Sequence, residues 1–235
     1  MNTATAETRH DGKARPKVSI GGLLFLAGPL LWALLVLFHP NPTDASPYEG
    51  IKDVVDRWLI VHVGQLILAP FVFLAVWRLL DGLHSVAAMV SRAALVVWAV
   101  FFSAYDTVQG VATGLLIRYA NGLAGEEQTA VAGALEYLVN DSQLGGNISV
   151  LALLGQGSWI VVAIAAAVAL HKAGAGRAVV AATCLSVLFA IHTAPAAGGM
   201  IALFLAGLLR ERQRTKSASG APSVGATGGA HARVS

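Results

Sequence analysis

The sequence predicts an all-α fold: a polytopic integral membrane helix bundle of five to six membrane segments, with two amphipathic helices on its outer surface. Composition is the first of three observations behind this. The 235 residues are 56% hydrophobic and only 12% charged, with a mean hydropathy of +0.66, where ordinary soluble domains carry roughly 25% charge. Second, the apolar residues gather into long runs. Third, tryptophan, proline and basic residues mark the ends of those runs.

Residues 1–17 are polar and read as a disordered cytoplasmic tail. Lys13, Arg15 and Lys17 before an apolar stretch have the look of a signal peptide. However, the run at 20–38 exceeds the roughly 7–15 residues of such a core and no A-x-A site follows, so it reads as a retained first span. At 1.5 Å per residue it can cross a core of about 30 Å, with Gly28-Pro29 predicting a kink. His39-Pro40-Asn41-Pro42 ends it. Ser46, Pro47 and Glu49 then give an N-cap, a proline at the first helical position and a capping-box acid. Tyr48, Ile51, Val55 and Trp58 share one face of that helix, which is expected to lie along the interface before the second span.

The second span, 58–77, has a tryptophan at each end and is closed by Arg78, with a turn at Asp81-Gly82. A third span, 93–117, lies between Arg92 and Arg118. The loop after it holds Glu126, Glu127, Glu136 and Asp141, with Val131, Leu135 and Leu138 at helical spacing, and predicts the second surface helix. The fourth span, 148–170, ends at His171-Lys172 and a glycine-rich turn closed by Arg177. Residues 18–212 form one transmembrane domain, and 213–235 read as a disordered tail. Cys184, the single cysteine, excludes an intrachain disulfide and a cysteine-rich metal site, and is expected to be a small core residue.

Lysine and arginine counts orient the bundle. The N-terminal tail and the turns after spans two and four hold Arg9, Lys13, Arg15, Lys17, Arg78, Arg92, Lys172 and Arg177, whereas the alternate loops hold only Lys52, Arg57 and Arg118 among many acids. The N-terminus is therefore expected in the cytoplasm. Abundant Ala, Val, Gly and Arg suggest a bacterial genome and hence a cytoplasmic membrane. The net charge of +3 does not signal nucleic acid, because topology accounts for the cations. The expected partners are the lipid bilayer and either another membrane protein or further copies of this chain.

The last apolar run, 178–209, contains AIHTAPAAGGM at 190–200 and allows two arrangements. One long proline-kinked helix would leave Arg210, Arg212, Arg214 and Lys216 outside, against the charge rule. A hairpin turning at 193–199 brings them in. Its limbs would rise only roughly 22 Å each against a core of about 30 Å.

The candidate chemistry lies in the outer half of the membrane. His39 ends span one, His62 is about 6 Å below the start of span two, and His192 falls in the outer part under both arrangements. Asp106, costly to hold charged within a membrane, is the strongest single pointer and is assigned the catalytic role. It shares a predicted i, i+3, i+7 stripe with Gln109 and Thr113, while Trp58, His62, Gln65 and Ala69 form another. His39, His62 and His192 are the candidate metal or cofactor ligands, for a transition metal or a haem, with Asp106 as a ligand, second-shell acceptor or proton relay. Gln65, Gln109 and Gln156 are the candidate substrate-binding residues. No HxxxH, CxxCH, Walker or G-x-S-x-G motif is present. Three functions are consistent with this pattern: redox or metal-dependent chemistry on a lipid-soluble substrate, proton-coupled transport, and a non-catalytic accessory subunit.

Overall fold

The computed structural model describes residues 20–41, 46–191 and 194–219, and these are helical with no strand among them. The helices are α1 (Ile20–Leu37), α2 (Pro47–Ile51), α3 (Val55–Leu79), α4 (Val86–Asp106), α5 (Thr113–Ala120), α6 (Gly125–Asn140), α7 (Val150–Lys172), α8 (Arg177–Leu185) and α9 (Ala194–Ser219). A 3-10 turn joins α2 to α3, a π-helical segment at Thr107–Ala112 joins α4 to α5, and a second 3-10 segment, Ser186–Ala190, extends α8. Among the described residues three continuous helical stretches are long and apolar enough to cross a membrane: Pro47–Leu79, Val86–Ala120 and Val150–Lys172.

The α1–α3 and α4–α7 pairs run antiparallel, as the order of their contacts shows, with glycine admitting close approach at one level and polar contacts at another. A Cβ at Gly28 would stand 2.6 Å from Phe71 Cβ, while the opposite end of the α1–α3 pair brings His39 to His62. Gly155 of α7 lets the backbone of Phe102 come within 3.1 Å of where its Cβ would stand. Further along the same pair, the Ser91 hydroxyl donates to the Val162 carbonyl at 3.0 Å. Gly157, two residues on, faces open space. Trp32, Trp98, Phe102, Trp159 and Phe189, from α1, α4, α7 and the 3-10 segment, meet ring against ring at the centre of the main core.

The apolar face predicted for α2 is buried, but against protein. Tyr48, Ile51, Val55 and Trp58 pack with Ile117 and Ala120 of α5 and with Leu135 and Val139 of α6, forming a second core. Tyr48 donates to Asn121 at 3.0 Å and receives a hydrogen bond from Gln128 at 2.8 Å. Ser46 does occupy the N-cap with Pro47 following, but it makes no capping hydrogen bond. The expected capping box fails because Glu49 turns to Lys52, at 2.6 Å.

At the C-terminal end the chain reverses. Gly199 packs on the backbone of Phe189, and Gly176 donates to Gln213 at 3.4 Å, so α8 and α9 lie antiparallel as a hairpin. Helix α9 begins at Ala194, so 194–199 is helical and is not the turn expected across 193–199. Pro195 sits in the first turn of α9, where a missing N–H leaves no intrahelical bond unmade. Helix α9 runs to Ser219, past the boundary expected at 212. Cys184 is exposed on α8 and is not a core residue.

Candidate functional site

Regular α-geometry in α3 places Trp58, His62, Gln65 and Ala69 on one buried stripe, as their spacing predicts. His62 is only 2% exposed and Asp106, the last residue of α4, 3%. The His62 Nδ1 lies 2.7 Å from Asp106 Oδ1, and on the other side of the ring the His62 Nε2 lies 3.3 Å from His39 Nε2. The three side chains form one line from a buried carboxylate to the end of α1. With Asp106 as a carboxylate, His62 Nδ1–H donates to it. The His62 Nε2 is then an acceptor for His39 Nε2–H.

Two further groups hold His62 in place. The Trp58 ring lies beside both imidazoles, with centroids 4.5 Å from His62 and 5.1 Å from His39. Its indole N–H donates to the Gly110 carbonyl at 2.8 Å. Gly110 lies directly against the His62 ring, leaving no space for a Cβ. Gly110 sits inside the π segment, a backbone irregularity often found at functional sites. The Thr113 hydroxyl donates to Val108 O, five residues back, at 3.3 Å. The signals for Trp58 and Gly110 in the sequence were limited to the stripe and a glycine within a span.

The π segment also corrects the second predicted stripe. Its i, i+5 bonding re-phases the helix after Asp106, so Asp106 and Thr113 are buried while Gln109 is half-buried. Asp106 Oδ2 and Gln109 Oε1 are buried without a hydrogen-bond partner among the described residues.

A cavity of about 30 Å³ opens beside His39, lined on its polar side by His39, Gln65 and Gln156 and elsewhere by Trp98, Phe102, Trp159 and Phe189 among others. It has room for about two water molecules, at roughly 10–15 Å³ each. Gln65 and Gln156 thus come together at the cavity, whereas Gln109 and Asp106 are not among its lining residues. His192, the third expected ligand, lies outside the described residues.

Among the described residues no group of three or more His, Cys, Asp or Glu side chains is placed to hold a metal ion. The His39–His62 pair does not fit axial ligation of a haem. Axial imidazoles stand on opposite faces of the macrocycle, and rings whose nitrogens approach to 3.3 Å leave no slot for one between them. The chain matches no family model, no curated protein and no solved structure.

Proposed function

We propose that this is a multi-pass protein of the bacterial cytoplasmic membrane whose working site is an acid–base relay in the outer half of the bilayer. The relay runs from Asp106 through His62 to His39 and delivers or removes protons at the small cavity beside His39. Gln65 and Gln156 orient a small, lipid-soluble substrate or its bridging water there. The observation that carries this reading is the unbroken line of contacts at 2.7 Å and 3.3 Å, ending on a residue that lines the cavity. A proton reaching His39 shifts Nε2–H of His39 to Nε2 of His62, and Nδ1–H of His62 to Asp106. The net result is one proton moved from cavity to carboxylate.

In this reading α1, α3, α4 with α5, α7, α8 and α9 are six membrane segments, and the N-terminus is cytoplasmic. The antiparallel pairing supports it, as does the collection of Arg78, Lys172, Arg177 and the α9 cations away from the acidic α2 and α6.

The test is magnetic resonance of isotope-labelled histidine in the full chain, in bilayers, across pH. The relay predicts that His39 and His62 titrate as a coupled pair, and that Asp106→Asn alters both. Independent titration curves, untouched by Asp106→Asn, would dismiss it.

A second reading rests on one distance. Two imidazole nitrogens bound to one tetrahedral ion at about 2.0–2.1 Å stand about 3.3 Å apart, which matches the His39–His62 separation. Asp106 then acts as the carboxylate behind a metal-bound imidazole. Zinc-dependent broadening of the same resonances, absent in His39→Ala, distinguishes it from the relay.

A further inference from the structure

We propose that the groove between the C-terminal part of α9 and the turn after α7, at the opposite end of the bundle from the relay, binds a phosphate group. The groove encloses about 580 Å³ and is lined by Ala173, Gly174, Arg210, Gln213, Arg214 and Lys216: three cations and no carboxylate.

The charge-sidedness of membrane proteins asks for cations at this end, and exposed Arg212 satisfies it. It does not ask for an arginine turned inward. Yet Arg210 continues the stripe of Leu203 and Ala206, both buried, and of Gly207, which packs on Leu26. Arg210 also borders a small, mainly apolar recess made by Leu26, Ala75 and Leu79 and rimmed by Arg78 and Glu211. Its Nε is buried and has no hydrogen-bond partner among the described residues.

The carboxylates of this end are engaged elsewhere. Glu211 takes Arg78 at 3.2 Å and Arg214 at 2.9 Å. Asp81 lies 3.6 Å from Arg78. No ion pair to Arg210 occurs among the described residues. Arg214 also donates to the carbonyls of Arg78 and Asp81, at 3.2 and 3.0 Å, so it is a fixed strut that adds charge without offering a free fork. Glu211 offsets the charge of Arg214, so of this like-charged i, i+4 pair it is Arg210 that is left for a further anion.

Phosphate is the anion whose geometry suits a guanidinium fork, and basic pockets at the ends of membrane helices hold phosphate head groups. Gly174, at φ +70° and with open space where a Cβ would stand, leaves the mouth clear. Two sources offer this chemistry: the headgroup of an anionic phospholipid and free inorganic phosphate.

The experiment uses the full chain in detergent. Native mass spectrometry measures retention of phosphatidylglycerol against phosphatidylcholine, and thermal shift measures inorganic phosphate. Selective retention of phosphatidylglycerol, weakened roughly tenfold or more in Arg210→Gln and unchanged in Arg212→Gln, supports the site with a lipid source. A thermal shift with phosphate that Arg210→Gln abolishes, without lipid selectivity, supports it with a soluble source. Arg210→Lys keeps the charge and loses the fork, so it should fold and still bind more weakly. The proposal is overturned if neither probe separates the wild-type chain from Arg210→Gln and Arg210→Lys, or if Arg212→Gln loses as much as they do.

Discussion

Substituting Gly110 by alanine tests the site at its tightest point. The new methyl group would run into the His62 ring, and the neighbours on that side are Trp58 and Asp106, both buried. Overpacking of this kind costs about 1–3 kcal/mol. Gly157→Ala in α7 is the matched control, because its Cβ would enter open space. The backbone gain of a helical Gly→Ala change, roughly 0.5–1 kcal/mol, is common to both variants and cancels in the comparison. Gly110→Ala should therefore be less stable than Gly157→Ala by about 1–3 kcal/mol, from about fivefold to about 150-fold in the folded to unfolded ratio. Reversible unfolding in mixed micelles measures the difference, and the histidine resonances report whether the His62 contact to Asp106 has opened. Equal stability of the two variants, with an unmoved His62 signal, would refute the close approach of Gly110 to His62.

Removing the His62 imidazole by alanine leaves Asp106 buried and unpaired, so His62→Ala should cost about 3–5 kcal/mol; adding Asp106→Ala should recover part of that loss, and a double-mutant cycle in the same micelles measures it. Trp58→Phe deletes the N–H that reaches Gly110 O at 2.8 Å, a carbonyl that still accepts from Thr113 N–H, for an expected loss of about 0.5–1.5 kcal/mol. The two serine caps should behave differently in thermal unfolding. Ser149 accepts from Ala152 N, so Ser149→Ala should cost about 0.5–2 kcal/mol, whereas Ser46 makes no cap bond and Ser46→Ala should be close to neutral.

The parts of this fold legible in the sequence are those governed by regular α-periodicity. The stripe Trp58, His62, Gln65, Ala69 is buried as its spacing predicts, because α3 is unbroken across it. On α6, Leu135 is buried as its spacing predicts, but Val131 and Leu138 are half-buried, and Val139, outside the predicted set, is the other buried residue. The stripe Asp106, Gln109, Thr113 could not be read the same way. Nothing in Thr107-Val108-Gln109-Gly110-Val111-Ala112 declares a π segment, which arises from tertiary demands: room for His62 over Gly110 and an acceptor for Trp58. The hairpin was one of two arrangements open to charge and length. Long-range contacts decide it, Phe189 on Gly199 and Gln213 at Gly176. Ser46 and Glu49 matched a capping signature locally, but Lys52 one turn on competes for the acid. Cys184 shows the limit of residue preferences: on a two-sided apolar helix, composition does not reveal which face meets the protein.

The π segment ties the length of its helix to two places at once. Forcing plain α-geometry on 107–112 with no residue removed would swing every side chain beyond it by about 100°. Ile117 and Ala120 would then leave the face that receives Tyr48 and Ile51, even though Asp106 itself had not moved. Deleting one residue within 107–112 should instead be absorbed by loss of the π turn, which keeps Ile117 and Ala120 in place but takes Gly110 from its seat against His62. The extra residue thus lets one helix seat Gly110 on His62 and still present Ile117 and Ala120 to Tyr48 and Ile51.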